Sequence, residues 1–275
     1  MPLRRAPAPP SAGPRWDPAA GTIDRGALEG CDAVVHLAGV SIDHRFTPRH
    51  IEAVRESRRL GTRLLVNTLA SLRRPPRVLV SASAIGIYGD RGDEPLDESC
   101  PTGTGVLSEI GRMWEAETEP AARAGIRVVT LRTGLVLARE GGALVPLARA
   151  TRLGAGGPLG SGRQWWSWIA LDDVLGGYRH AIACDALAGP VNLTAPGPVR
   201  QIEFARVLGR VLARPAGVPA PAFALRLILG RGMADALVLA SARVAPARLA
   251  ATGFEFRFPE LEPGLRHVLG REGSV

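Results

Sequence analysis

The sequence contains no lysine, and all 34 of its basic residues are arginine. A P-loop, a Schiff-base enzyme and any catalyst that needs a lysine amine are therefore excluded. Against 26 acidic residues the arginines leave a net charge of +8, but they are scattered along the chain. No basic run is denser than residues 72–77, so the sequence shows no concentrated basic patch. We therefore expect no nucleic-acid partner.

Cysteines and long apolar runs are also scarce. The three cysteines, Cys31, Cys100 and Cys184, are widely spaced, which predicts neither a disulfide framework nor a metal site. No apolar run approaches the roughly 20 residues that cross a bilayer, so we expect no membrane partner. Residues 1–14 are rich in proline, alanine and arginine and have no signal-peptide core, which predicts a disordered N-terminus and a cytoplasmic protein.

The chain does have a repeated strand–helix pattern. Residues 32–39 read as a strand that is apolar on both faces and ends in small residues, as expected inside a parallel sheet. A helix is predicted over 49–71 from its apolar spacing, and a second over 106–124. Strands over 77–81 and 126–131 flank this second helix, and the alternation predicts a doubly wound parallel sheet.

The pattern changes after residue 140. Residues 141–170 are rich in glycine and tryptophan, which suggests insertions on the substrate side of the sheet. A strand over 189–195 and an amphipathic helix over 201–212 follow. Beyond them the composition turns to proline, alanine and leucine, so we predict one large domain over 15–213 and a small helical domain over 214–275.

In their order these motifs resemble the extended branch of the short-chain dehydrogenase/reductase superfamily. The similarity is strongest to its nucleotide-sugar-epimerase-like subgroup with a small C-terminal domain. The motifs that carry the resemblance are Arg15-Trp16-Asp17, Val35-His36-Leu37-Ala38-Gly39, Ser57-Arg58, Gly61-Thr62, Ser81-Ala82-Ser83-Ala84-Ile85-Gly86, Tyr88-Gly89, Trp114-Glu115, Leu131-Arg132-Thr133-Gly134, Gly160-Ser161-Gly162-Arg163-Gln164, Trp168-Ile169, Asp172-Asp173, Phe223-Ala224-Leu225, Met233-Ala234-Asp235-Ala236, Arg248-Leu249 and Gly253-Phe254. The resemblance implies a Rossmann-like α/β fold, with NADP or NAD bound by residues 15–213.

The sequence departs from the family at its start. The family opens with a strand, a Gly-x-x-Gly-x-x-Gly turn and a helix that hold the cofactor pyrophosphate. These 275 residues begin after that unit, and we interpret the fold as N-terminally truncated, through a misassigned start or a shortened chain. In the family the missing strand lies beside residues 34–37, so we expect an exposed apolar edge there and impaired cofactor binding.

A second departure concerns the acid/base pair. The superfamily uses a tyrosine with a lysine four residues later, and the corresponding positions here are Leu107 and Gly111. By resemblance, Ser83 is a candidate for bonding the reacting hydroxyl, although a capping or turn serine is nearly as well supported. Tyr88 is the nearby phenol that could donate a proton, and the alternative is a packed loop aromatic.

The remaining site predictions follow strand ends and an aromatic run. The residues predicted to bind the cofactor are Leu37, Ala38, Gly39, Arg58, Ser81, Arg132, Thr133, Gly134 and Val136. The residues predicted to form a substrate wall are Arg163, Gln164, Trp165, Trp166 and Trp168, since indoles stack on rings and arginine clamps phosphate. Equally supported is a hydrophobic strand that plugs the smaller domain.

Two functions remain open from the sequence. One is an NAD(P)-dependent oxidoreductase or epimerase that transfers a hydride to or from a small hydroxylated or nucleotide-linked substrate. The other is a protein that binds a dinucleotide without turnover, as a sensor, an interaction protein or an inactive truncated form. The missing tyrosine–lysine pair favours the second, while Ser83 and the glycine-rich strand ends favour the first.

Overall fold

A computed structural model of the chain describes residues 1–5 and 13–271, without the Arg5 side chain. The strands are β1 (Arg4–Arg5), β2 (Arg15–Asp17), β3 (Thr22–Ile23), β4 (Ala33–His36), β5 (Val78–Ala84), β6 (Pro95–Leu96), β7 (Arg127–Thr133), β8 (Leu135–Leu137), β9 (Trp165–Trp166), β10 (Trp168–Ala170), β11 (Gly189–Leu193), β12 (Val199–Arg200) and β13 (Arg243–Val244). The α-helices are α1 (Pro48–Ala70), α2 (Val106–Ala116), α3 (Glu119–Arg123), α4 (Leu144–Arg152), α5 (Leu171–Ala183), α6 (Gln201–Leu212), α7 (Ala222–Leu229), α8 (Arg231–Met233), α9 (Ala247–Ala251) and α10 (Leu261–Val268).

The central sheet is parallel and has the order β11-β7-β5-β4. On one face Val34, Leu79 and Val128 pack with apolar residues of α1 and α3. On the other face Val80 and Leu131 belong to a second core under α5 and α9. Helices on both faces of a parallel sheet make this the predicted Rossmann-like α/β fold, which is confirmed.

The first long helix agrees with the sequence. α1 begins after Thr47, whose hydroxyl accepts a hydrogen bond from the His50 amide at 3.1 Å, and Pro48 occupies its first turn. The single helix predicted over 106–124 is instead two helices. α2 ends at Ala116, and α3 starts with Pro120 in its first turn, where a missing N–H is tolerated but helix continuation is not.

β4 lies at an edge of the described sheet and not inside it, which corrects the prediction of a strand buried on both faces. It pairs with β5 alone among the described strands. Val35 is 42% exposed and Leu37 64% exposed, while His36 on the opposite face is buried. The apolar edge expected at residues 34–37 is therefore present in the structure.

The second half of the chain packs around tryptophan. Trp166 and Trp168 lie in one core with Phe204 of α6 and Leu265 of α10. Asp173 in the first turn of α5 accepts hydrogen bonds from the amides of Arg257 and Phe258 at 2.7 and 3.0 Å. The Asp173 carboxylate thus attaches the segment before α10 to the Rossmann-like part. Separately, residues 234–239 form a π-helical turn between α8 and β13.

At the N-terminus, Arg4 and Arg5 pair with β2, which in turn pairs with β3. Residues 6–12 lie outside the described residues, so the disorder predicted for 1–14 stays a prediction there. Among the described residues, none of the helices combines the length and apolar character needed to cross a bilayer.

Candidate cofactor and substrate site

Three polar residues form a row near the carboxyl ends of the central strands. Ser83 of β5 is in register with Arg132 of β7, and Arg132 is in register with Asn192 of β11. Neighbours in register point to the same face of a sheet, and all three side chains are buried. The sequence places polar groups here at the edge where open α/β sheets bind ligands.

Glu115 of α2 joins two members of this row. The Ser83 hydroxyl donates to Glu115 Oε1 at 2.6 Å, and the Arg132 guanidinium donates to both carboxylate oxygens at 2.9 and 2.8 Å. Burial works against the charge of Arg132, but the hydrogen bonds and charge of Glu115 outweigh it and raise the pKa of that guanidinium. The two residues are therefore a bidentate, buried ion pair.

Tyr88 completes the network from the turn that follows β5. Its hydroxyl donates to Asn192 Oδ1 at 2.8 Å and accepts from Arg132 Nη1 at 3.0 Å. The side chain is fully buried, and burial raises the pKa of its phenol despite the neighbouring Arg132 charge. Both predicted catalytic residues thus lie in the network beneath the strand ends, with Ser83 4% exposed.

The predicted cofactor residues after β4 have a different character. Leu37 and Gly39 are exposed, and Ala84 at the end of β5 is exposed beside them in the sheet order. Arg58 of α1 reaches this loop, since its guanidinium donates to the Val40 carbonyl oxygen at 2.9 Å. Its guanidinium carbon also lies 4.7 Å from the centroid of the Trp114 ring. Bare backbone and apolar side chains fit the adenosine half of a dinucleotide.

The other predicted cofactor residues are less accessible. Ser81 is fully buried, and Arg132 is held by Glu115 and Tyr88. A Cβ on Gly134 would lie 2.5 Å from the Ser167 carbonyl oxygen, so this glycine is needed for packing between strands. The half-buried residues Ala38, Thr133 and Val136 remain beside the edge.

Tyr178 was not among the predicted site residues, but it reaches this edge from α5. Burial raises the pKa of the Tyr178 phenol to about 12, although a hydrogen bond with Thr133 acts to lower it. Its position in the second turn of an amphipathic helix gave no sequence signal, because the contact depends on how α5 crosses the sheet.

Glycine spacing alone does not provide a phosphate loop here. Gly154, Gly157 and Gly160 have the Gly-x-x-Gly-x-x-Gly spacing, but they follow α4 and precede β9. A Cβ on Gly157 would lie 2.1 Å from the Val218 carbonyl oxygen, so this glycine serves close backbone packing. No strand described in residues 13–271 enters a helix through such a turn.

The predicted substrate wall divides into core and surface. Trp168 is fully buried, Trp166 packs edge-to-face on Phe204, and the buried Gln164 amide donates to the Leu159 and Val238 carbonyls. These placements match the alternative of a strand that plugs the smaller domain. Arg163 is exposed and Trp165 partly exposed.

Trp165 lies between arginines from other parts of the chain. The guanidinium carbon of Arg200 is 4.2 Å from the indole centroid, and that of Arg243 is 4.7 Å away. Asp93 accepts from Trp165 Nε1 at 3.2 Å and from Arg200 at 2.6 Å. Sequence reasoning missed Arg200 and Arg243, because only the strand pairing of β12 with β9 and of β13 with β6 brings them here.

Comparison with known proteins agrees with this architecture. The family model described as NAD dependent epimerase/dehydratase family matches residues 22–192, and a domain of unknown function, DUF1731, matches residues 220–268. The boundary predicted at residue 213 falls between the two matches and stays a prediction.

Three relatives illustrate the similarity. The Mycobacterium bovis epimerase family protein Mb2239 is 39% identical over 98% of this chain and 89% of that protein. The structure of human epimerase family protein SDR39U1 with NADPH has a TM-score of 0.88 at 32% identity, covering 98% of this chain and 90% of that one. A nucleoside-diphosphate sugar epimerase from Corynebacterium glutamicum has a TM-score of 0.76 at 37% identity, covering 93% of this chain and 49% of that one.

The resemblance inferred from the ordered motifs is thereby confirmed. The chain belongs to the NAD dependent epimerase/dehydratase family, in the group of SDR39U1-like proteins with a C-terminal DUF1731 domain.

Proposed function

We propose that this protein is an NAD(P)-dependent oxidoreductase of the epimerase type. It would transfer a hydride between the nicotinamide and a small hydroxylated or nucleotide-linked substrate, in the cytoplasm. The observation that carries this proposal is the open carboxyl edge of the sheet, where Leu37, Gly39 and Ala84 are exposed above a buried polar network. Support for the cofactor comes from the NADPH bound to human SDR39U1, and support for the substrate class comes from the similarity to the nucleoside-diphosphate sugar epimerase of Corynebacterium glutamicum.

The residues divide by which end of the cofactor they suit. Leu37, Ala38 and Gly39 would hold the adenosine side, with Arg58 behind them. Thr133 and the backbone of Gly134 would lie beside the nicotinamide. The bound cofactor would supply or accept the hydride, and the protein would orient it and exclude water.

Ser83 is the group best placed to handle the substrate proton. Since the Glu115 carboxylate only accepts hydrogen bonds, Ser83 must donate its own proton to it, at 2.6 Å. The free lone pair of Ser83 Oγ can then accept the proton of a substrate hydroxyl. In alcohol oxidation the hydride would leave carbon, the hydroxyl proton would pass to Ser83, and the Ser83 proton would pass to Glu115. Arg132 holds the Glu115 carboxylate in place through their ion pair.

Cofactor binding is the first test of this proposal. Titration of the 275-residue chain with NADPH, followed by the fluorescence of the bound nicotinamide, should give weak binding, since charge-assisted bonds to the pyrophosphate are worth about 1.5–3 kcal/mol each and few are offered. Gly39→Trp should abolish the signal, while Gly217→Trp, at an exposed glycine with open space around its Cβ position, should not. Micromolar affinity would show that another loop holds the phosphates, and no binding at millimolar NADPH would refute the proposal.

Turnover is the second test. NADPH oxidation should be screened with carbonyl compounds and nucleotide-linked sugars, and Ser83→Ala should abolish any activity found while leaving NADPH binding unchanged. Tyr88→Phe and Tyr178→Phe serve as comparisons, because each removes one phenol that could donate the proton instead. Activity retained in Ser83→Ala but lost in either phenylalanine variant would move the proton transfer to that tyrosine.

The second candidate function is dinucleotide binding without turnover. One observation favours it, which is that the network already has partners within the protein. Ser83 and Arg132 donate to Glu115, Arg132 also donates to Tyr88, and Tyr88 donates to Asn192. A network so fully satisfied rigidifies a fold without performing chemistry. NADPH binding with no oxidation across a broad substrate panel would favour this function over the first.

A further inference from the structure

The loop that joins β4 to α1, residues 37–47, is attached to the rest of the protein at two places. At the first, the Val40 amide donates to Ser57 Oγ at 2.9 Å, and Arg58 donates to the Val40 carbonyl oxygen at 2.9 Å. Both partners lie on α1, so this attachment is made within the Rossmann-like part. Beyond it, Asp43 and His44 are exposed.

The second attachment is made by the C-terminal DUF1731 domain. The exposed Arg45 donates to the carbonyl oxygens of Leu227 and Ile228 at 2.9 and 2.7 Å. These carbonyls belong to the last turn of α7, where carbonyl groups lack partners within the helix and the helix dipole is negative. A guanidinium supplies both donors and positive charge there, so Arg45 suits this position.

Packing beside Arg45 extends the contact between the loop and the domain. Phe46 is half-buried, and a Cβ added to Gly232 of α8 would lie 3.2 Å from Phe46 Cβ. The bare backbone at Gly232 therefore lets α8 approach the loop closely. Leu37 and Gly39, two predicted cofactor residues, lie at the other end of this loop and are exposed.

We propose that the C-terminal domain contributes to the cofactor site by holding the loop of residues 37–47 in place, with Arg45 as the positioning residue. This inference rests on the proposed function, since the ligand is the nicotinamide dinucleotide. A loop that is only partly in its binding conformation lowers the apparent affinity by the fraction that is competent. The domain thus acts on the cofactor through the loop, although α7 and α8 carry none of the predicted cofactor residues.

The test measures hydrogen exchange and NADPH titration of the full chain and of Arg45→Ala. Exchange should become faster in α7 and at the Thr47 amide, which donates to the Arg45 carbonyl oxygen at 2.8 Å. NADPH affinity should fall about fivefold, as expected if the loop is competent for a fifth of the time. Arg49→Ala is the matched control, because it removes the same charge from an exposed residue in the first turn of α1. It should leave exchange unchanged and alter affinity less than about twofold.

A second variant reaches the same contact from the C-terminal domain. Gly232→Val keeps Arg45 but crowds Phe46, so it should also speed exchange at Thr47 and weaken NADPH binding. Arg45→Lys should recover part of the lost affinity, because an ammonium group can still donate to the carbonyls at the end of α7.

Two results would overturn this inference while leaving the proposed function standing. One is unchanged exchange in Arg45→Ala, and weaker NADPH binding in that variant would then mean that Arg45 touches the cofactor directly. The other is faster exchange with unchanged NADPH affinity, which would mean that the position of the loop does not matter to the cofactor. A different result, no NADPH binding by the unaltered chain, would refute the proposed function and this inference with it.

Discussion

Glu115 is the residue on which most buried polar contacts of the site converge. Glu115 accepts hydrogen bonds from both Ser83 and Arg132. Arg132 also donates to the Tyr88 hydroxyl, which in turn donates to Asn192. Buried ion pairs contribute little net stability when intact, yet losing one partner leaves an uncompensated charge in a low dielectric. The network therefore fixes the positions of Ser83 and Tyr88 relative to each other and makes this region sensitive to single substitutions.

Glu115→Ala should lower the free energy of unfolding by about 3–5 kcal/mol, because Arg132 would remain buried without its counter-charge. Urea denaturation measures this loss. Glu56→Ala is the control, since it breaks a surface pair with Arg59 and should cost less than about 1 kcal/mol. Similar losses in both variants would show that the buried pair has no special role.

The adjacent residues Trp166 and Trp165 should respond in opposite ways to truncation. Trp166 is in the core against Phe204, so Trp166→Ala should cost about 3–5 kcal/mol. Trp165 is partly exposed between two arginines, and Trp165→Ala should cost about 1 kcal/mol through lost cation–π contacts. Thermal and urea unfolding of the two variants side by side would test this, and a tolerated Trp166→Ala would restore the pocket interpretation.

His36 should make stability depend on pH. Its ring is buried beside Thr62, and burial, with the Arg58 charge, lowers its pKa to about 4 from an ordinary value of 6.5. Between these values the unfolded chain binds a proton that the folded chain excludes. The contribution of His36 to the free energy of unfolding should therefore be present in full above pH 6.5. It should be lost, by about 3 kcal/mol, as the pH falls toward 4.

Urea denaturation at several pH values would measure the His36 contribution. His36→Gln should remove it and flatten the profile between pH 4 and 6.5. His44→Gln should leave the profile as it is, because that side chain is exposed. An unchanged profile in His36→Gln would show that other groups cause the acid sensitivity.

At the scale of elements, the sequence predicted what periodicity and breakers determine locally. α1 and α6 lie within two residues of their predicted bounds, because each combines an apolar stripe with a clear start or stop. The break between α2 and α3 was missed, since Pro120 is tolerated in a first turn and the apolar spacing runs through it. α9 and α10 were also missed, being short helices whose stability comes from tertiary packing.

The candidate site was less predictable than the elements. Strand ends rich in serine and glycine pointed to the carboxyl edge, but strand alternation decides which side chains face solvent. Ser83 turned out to point toward Glu115, and the neighbouring Ala84 is the exposed residue. Contacts such as Arg200 and Arg243 on Trp165 depend on long-range pairing, which a single sequence does not reveal.

Asp173 is expected to control how the last segment attaches to the rest. Its carboxylate accepts from two consecutive amides, Arg257 and Phe258, and is itself buried. Asp173→Ala should cost about 1–3 kcal/mol and speed hydrogen exchange at those two amides. Asp172→Ala, at the more exposed neighbouring residue, should leave their exchange rates nearly unchanged. Equal exchange in both variants would mean that packing by Phe258 is sufficient.

At the scale of the whole molecule, β4 is the last strand of the described part of the sheet, and its sequence lacks the protection that native edge strands usually have. Edge strands are commonly protected by charged residues, proline or a bulge, and residues 33–37 carry none of these. Within residues 1–5 and 13–271 no strand pairs with the outer side of β4, and Val35 and Leu37 are exposed beside it. Self-association through this edge is the expected behaviour of the 275-residue chain.

Val35→Lys should reduce this self-association, because a charge on an edge strand opposes pairing with another edge. Light scattering at rising protein concentration measures the effect, and the variant should remain monomeric to at least several-fold higher concentration. Val218→Lys is the matched control, since Val218 is also an exposed valine but lies in a loop away from the sheet edge. It adds the same charge, so an equal gain in both variants would attribute the effect to net charge and not to β4. If neither variant changes the scattering, the edge is not where the chains associate.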